Sequence, residues 1–167
     1  MASALKGRRI LVVDDEVDVC TMIEDELSQC QIDIASTYEE ARARLAGGRY
    51  DVVILDIMGV RGHDLLEEFS SKAPCIMLTA HALTPQDLKR SMVGHAVLYL
   101  PKEEIGSLEA YISKVLLVKE PLWNWLFKRL DFSRWFGEQW MMFDAAFFRD
   151  FKITEEEVLD DLNQGRD

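Results

Sequence analysis

From residue 8 to about 118 the chain alternates short apolar runs with stretches whose apolar residues recur at helical spacing. "RILVV" (9–13) precedes a segment with Val19, Met22, Ile23 and Leu27 on one helical face, and "IDIA" (32–35) follows, which predicts strand, helix, strand. In "STYEEARARLAGG", Ser36 or Thr37 is placed as an N-cap with a Glu three residues later. Gly47 and Gly48 would close that helix in the left-handed conformation that glycine adopts at least cost. "YDVVILDI" (50–57) is apolar with little alternation, the pattern of a strand covered on both faces. A weaker helical segment, "DLLEEFSS", leads to the strand "PCIMLTA" (74–80). Thr84 and Pro85 suit the N-cap and first position of the next helix, "AVLYL" (96–100) reads as a fifth strand, and a last helix falls within 103–118. Repeated strand-then-helix units require crossovers that return the chain in the same direction, so the pattern predicts an α/β fold: a five-stranded parallel sheet with helices on both faces.

Near residue 119 the text changes. Residues 119–167 hold all 4 tryptophans and most of the 8 phenylalanines, and Pro121 marks a break at the start. We therefore divide the chain into residues 1–118 and a helical extension, 119–167. Within the extension Phe132, Phe136, Trp140, Phe143, Phe147 and Phe151 fall on one helical face, widened by Trp135, Met142 and Phe148. Thr154 and Glu157 form a capping-box pattern ahead of Val158, Leu159 and Leu162.

At 167 residues the chain can bury one substantial core with an addition to it. A formal charge of -11 argues against a protein whose main work is coating a nucleic-acid backbone. The 3 cysteines, Cys20, Cys30 and Cys75, lack the count and spacing of a disulfide framework or zinc site, and reduced, partly buried thiols are expected. No secretory signal pattern and no apolar run long enough to span a bilayer are present, so the expected location is cytoplasmic.

In sheets of this kind ligands bind beyond the carboxyl ends of the strands. That rule gathers Asp14 and Asp15 after the first strand, Asp56 at the end of the third, Thr79 at the end of the fourth and Lys102 just past the fifth. Clustered carboxylates repel one another unless a cation offsets their charge. Oxygen-only donors suit Mg²⁺ better than zinc. Asp56, in the middle, would then be a nucleophile able to take a phosphoryl group as an acyl phosphate, with Lys102 supplying charge to the phosphoryl oxygens and Thr79 a hydrogen bond. Each residue also has a plainer reading: Asp14 and Asp15 at a helix N-terminus, Asp56 as an N-cap, Thr79 as a strand end, Lys102 solvated. His63 and His81 have no second nitrogen ligand at useful spacing and are expected at the surface, His81 bordering the pocket.

At "VVDDE", "LDIMG", "MLTA" and "YLPK" the chain resembles the receiver domain of two-component response regulators, the chemotaxis-type fold. The resemblance covers residues 8 to about 118. It implies a flavodoxin-like sheet of order 2-1-3-4-5, Mg²⁺ held by Asp14, Asp15, Asp56 and the backbone carbonyl of Met58, and Asp56 as phosphoacceptor. It further implies Thr79 as switch hydroxyl, Lys102 as phosphate-contacting lysine and Tyr99 as the aromatic whose rotamer reports phosphorylation; ordinary core is the plain reading of Tyr99. The implied partners are a histidine kinase or phosphotransfer protein and a downstream protein target.

The sequence departs from the family in two places. The loop after Asp56 reads "DIMGVRGHDLL", shorter than usual, with Gly59 and Gly62, and Lys102 is followed by Glu103 where the family commonly has a proline. Pro101 would help to aim the lysine by restricting Leu100. Other readings are an interaction or dimerisation module that keeps the fold without being phosphorylated, and a phosphohydrolase of the haloacid dehalogenase type. The second needs an acid two residues after the nucleophile, where this chain has Met58. No enzymatic activity on a separate substrate is expected. The aromatic stripe of the extension fits packing back on the same chain or pairing with a second copy. Its negative charge opposes a membrane surface, and no basic helix-turn-helix text is present.

Overall fold

The structure, a computed structural model, describes residues 3–80, 84–118 and 122. The aromatic stripe, the capping box at Thr154 and His81 lie outside the described residues. The strands are β1 (Arg9–Val13), β2 (Gln31–Ala35), β3 (Val52–Asp56), β4 (Cys75–Thr79) and β5 (Leu98–Pro101). The helices are α1 (Val17–Glu26), α2 (Tyr38–Gly47), α3 (Gly62–Phe69), α4 (Pro85–Val93) and α5 (Leu108–Leu117), with a 3-10 turn over Lys102–Ser107. All strand pairs are parallel and the order is β2-β1-β3-β4-β5. The expected α/β, flavodoxin-like fold is the one observed.

The central strands explain the layering. Every residue of β3 and β4 is buried, so both faces of the sheet must be covered. α1 and α5 pack together on one side, and α2, α3 and α4 follow one another on the other. Side chains such as Ile23, Leu27, Leu65, Leu66, Leu88 and Ile112 are fully buried between helices and sheet. Each contributes about 1.5–3 kcal/mol relative to exposure.

Helix starts follow the sequence closely. Thr37 is the N-cap of α2, its hydroxyl accepting from the Glu40 N–H at 3.2 Å, while the Glu40 carboxylate accepts from the Ser36 N–H at 2.9 Å. Thr84 caps α4 through the Asp87 N–H at 3.1 Å, with Pro85 in the first turn. Such a cap is worth about 1 kcal/mol.

Four expectations need correction. Gly48 is extended (φ -137), not left-handed, because the chain runs straight on toward β3; a side chain there would crowd the Arg44 carbonyl and the Tyr50 ring. Met22 is exposed, and Cys20 takes its place in the buried stripe with Val19, Ile23 and Leu27. β5 begins at Leu98 and runs one residue further, to Pro101. A proline is tolerated there because, among the described residues, β5 pairs only with β4 and its outer edge needs no donor. His63 is buried rather than at the surface. Its ring Nε2 lies 3.1 Å from the Ser91 hydroxyl and 3.3 Å from the Asp87 carbonyl, tying α3 to α4, and these two partners satisfy a polar ring inside the fold.

Candidate functional site

Parallel register brings the polar residues to one rim. Val13 aligns with Leu55, Asp56 with Leu78, and Thr79 with Pro101, so Asp14, Asp56, Thr79 and Lys102 emerge together at the carboxyl ends of β1, β3, β4 and β5. Asp14, Asp15 and Asp56 each offer a carboxylate oxygen within 4.8 Å of the others. Asp14 (2% exposed) and Asp56 (4%) are buried, whereas Asp15 faces solvent.

Lys102 is the cation among them. Its Nζ lies 2.8 Å from Asp14 Oδ2, 3.2 Å from Asp56 Oδ1 and 2.7 Å from Glu16 Oε1. Glu16 belongs to the site through Lys102, a role that the sequence expectations for Asp14 and Asp15 do not include. The signal available was the third acid in the run after β1. Burial alone would lower the Lys102 ammonium, but Asp14, Glu16 and Asp56 outweigh it and hold it above the ordinary lysine value. Burial, and then the charge of Asp14, push the Asp56 carboxyl up to about 6; Lys102 offsets only part of this. Four carboxylates around one ammonium leave the pocket under-neutralised.

The two oxygens of Asp14 have different surroundings. Oδ1 accepts from the Glu16 N–H at 2.9 Å and so steadies the turn into α1, which joins the plainer helix-terminus reading to the chemical one. Oδ2 is buried and receives no hydrogen bond; Lys102 approaches within ion-pair distance but outside hydrogen-bond alignment. A buried carboxylate oxygen left without an aligned hydrogen bond, within reach of the oxygens of two further carboxylates, fits a small divalent cation.

The loop between β3 and α3 is held by glycines. Gly59 (φ +69) and Arg61 (φ 55) both take left-handed geometry, and the Met58 carbonyl accepts from the Val60 N–H at 2.6 Å. That bond uses one of the carbonyl's two acceptor positions. A Cβ on Gly59 would lie 2.5 Å from Asp15 Oδ1, and one on Gly62 would run into the Asp56 carbonyl oxygen. The short loop therefore works by pressing bare backbone against the acids. The Met58 side chain is exposed.

Lys102 opens the 3-10 turn directly after Pro101, whose extended backbone (φ -72, ψ 152) carries the lysine over the rim without a following proline. Thr79 is buried at the end of β4. Tyr99, also buried, turns its ring into the core; its hydroxyl has no hydrogen-bond partner, and burial, with the nearby Asp87 charge, raises it above the ordinary phenol value. The three cysteines are free thiols; burial, then Asp14, pushes Cys20 up to about 11, and burial pushes Cys75 up to about 12, so neither is a nucleophile at neutral pH.

Residues 10–113 match the family model described as "Response regulator receiver domain". The chain belongs to this family. Its receiver domain is 36% identical over 78 residues to the regulatory protein VanRB of Enterococcus faecalis, an overlap covering 43% of this chain and 36% of that protein. The transcriptional regulatory protein YrkP of Bacillus subtilis is 35% identical over 91 residues, covering 52% of this chain and 39% of the relative. The chain thus spans less than two-fifths of the length of these curated relatives. Among solved structures, the receiver domain is similar to the response regulator protein TrrA of Thermotoga maritima in complex with Mg(2+)-BeF, at 36% identity and a TM-score of 0.58, covering 65% of this chain and 99% of that one. A two-component response regulator from Clostridium difficile shares the fold at 23% identity and a TM-score of 0.62, covering 67% and 98%. Among the described residues no helix is long and apolar enough to cross a membrane.

Proposed function

We propose that this chain is a phosphorylation-dependent switch of a two-component phosphorelay, with Asp56 as phosphoacceptor. The observation that carries the reading is the pocket itself: a buried carboxylate at the end of the central strand, beside two further acids and 3.2 Å from the ammonium of Lys102. In the transfer, a carboxylate oxygen of Asp56 forms a bond to phosphorus as the phosphorus–nitrogen bond of a donor phosphohistidine breaks. The imidazole leaves with the electron pair of that bond. The donor is a histidine kinase or phosphotransfer protein.

Asp14, Asp15 and Asp56, with the second acceptor position of the Met58 carbonyl, would hold Mg²⁺, which supplies positive charge to phosphoryl oxygens. Lys102 contributes a further charge and Thr79 a hydroxyl donor to the same oxygens. Tyr99 lies on β5, between β4 and the open edge, and its unpaired buried hydroxyl costs about 1–3 kcal/mol, which favours a second position when the site is charged. The surface of α4, β5 and α5 would pass the change to a protein target, and the aromatic extension would join two copies. The molecule acts on its own Asp56 and needs no separate substrate. With Met58 two residues on from Asp56, no side chain is available there for acid–base hydrolysis, and the acyl phosphate is long-lived.

Incubation with acetyl phosphate and Mg²⁺ tests the reading. A mass increase of one phosphoryl group, absent in Asp56→Asn, supports it. An unmodified wild type, with no change in tyrosine or tryptophan fluorescence on adding beryllofluoride and Mg²⁺, would establish the fold as an unphosphorylated interaction module instead. Rapid loss of label from the isolated phosphoprotein contradicts the long lifetime.

A further inference from the structure

Lys102 is shared unequally. Its bond to Glu16 Oε1, at 2.7 Å, has hydrogen-bond alignment, whereas Asp14 Oδ2, at 2.8 Å, receives charge without an aligned bond. Glu16 sits at the junction between β1 and α1, in the N-cap position of the helix, yet its carboxylate caps nothing. It reaches instead across the mouth of the pocket to the start of the 3-10 turn, with 58% of its side chain exposed against 9% for Lys102. The lysine's shortest contact is therefore to the outermost carboxylate, on the solvent side of the two buried aspartates.

An ammonium seated on Asp14 and Asp56 competes for the oxygens a divalent cation needs. One drawn outward leaves them available. We propose that Glu16 is a positioning residue, holding Lys102 toward the mouth of the pocket and so keeping Asp14 and Asp56 accessible to a divalent cation. The inference rests on the Mg²⁺ reading of the pocket given above. Lys102 already touches both buried aspartates, at 2.8 and 3.2 Å; without the outward pull of Glu16 it keeps only those two partners and draws closer to them, and metal uptake weakens.

A double-mutant cycle on the full chain isolates this effect. Mg²⁺ binding is measured by titration calorimetry for the wild type, Glu16→Gln, Lys102→Met and the double variant, with circular dichroism confirming that each is folded. Glu16→Gln should weaken Mg²⁺ by about threefold to fivefold, the range of a partly exposed ion pair. In the Lys102→Met background the same change should have little effect, because no lysine remains to be drawn away. Equal weakening in both backgrounds would show that Glu16 acts only through its own field and would overturn the proposal, as would no weakening in either. A second readout is independent of metal: the NMR shifts of the Lys102 ε-methylene and ammonium, recorded without Mg²⁺, should move in Glu16→Gln and return toward wild type in Glu16→Asp. Unmoved shifts overturn the positioning role. If the wild type takes up no Mg²⁺ at all, the reading of the pocket fails, and the lysine shifts still decide whether Glu16 positions Lys102.

Discussion

The two ends of the sheet handle charge in opposite ways. At the amino ends of β1 and β3, and midway along the edge strand β2, carboxylates have their own guanidinium: Arg8 with Asp51 at 2.8 Å and Arg9 with Asp33 at 3.1 Å. At the carboxyl ends, Asp14, Asp56 and Glu16 share the single ammonium of Lys102, and Asp15 lies within reach of the same cluster. The pKa directions separate accordingly. Asp33 is held below the ordinary carboxylate range, first by the Tyr50 hydroxyl at 2.8 Å and then by Arg9, whereas burial and Asp14 raise Asp56 to about 6. One rim is finished by the protein alone. The other is left short of positive charge, and in the function proposed above an external cation makes up that shortage.

The largest effect should come from removing the central acid of the unfinished rim: Asp56→Asn abolishes labelling by acetyl phosphate, while Asp33→Asn leaves it unchanged, as read by intact-mass spectrometry. If both variants label, the contrast between the rims is wrong. Next, Mg²⁺ should stabilise the protein against urea by about 2.7 kcal/mol at a hundredfold excess over its dissociation constant. Asp14→Asn should lose most of that gain, and Arg9→Ala should keep it. Gly62→Ala should cost about 1–3 kcal/mol in thermal or urea unfolding, since its Cβ would be driven against the Asp56 carbonyl and the loop must shift.

A smaller effect follows from His63, beneath the unfinished rim. Burial depresses its ring below the ordinary imidazole value, helped by Arg90 and opposed by Asp87 and Glu67. The unfolded chain therefore takes up the proton first as pH falls. The stability His63 contributes is complete above the ordinary value and is lost between that value and the lower folded one. His63→Gln should flatten this acid-side loss in urea midpoints measured across the range. The smallest change is expected at the finished rim: Arg8→Ala should cost about 0–1 kcal/mol, as exposed pairs do.

What could be read from the sequence follows the same division. The strands and their order were legible because β3 and β4 are uninterrupted apolar runs bounded by turn residues, and the strand-then-helix alternation leaves few topologies. The acids and Lys102 were legible because strand ends collect them at one rim. Residues whose roles depend on a partner far along the chain were harder to see. Glu16 gains its role from Lys102, 86 positions away, and His63 is inside only because Ser91 and the Asp87 carbonyl, on another helix, can satisfy its ring. Local text carries no trace of such pairings. Gly59 and Gly62 were visible as a departure, but what they accommodate, Asp15 and the Asp56 carbonyl, emerged only with the backbone path.

One small contact on the far side of the sheet has a wider consequence. Past the end of α5, the Leu122 N–H donates to the Val97 carbonyl at 2.9 Å and the Leu122 side chain is buried. This stitches the chain to the residue just before β5, the strand that carries Tyr99 toward Lys102. Any sliding or tilting of that strand is therefore felt directly at Leu122.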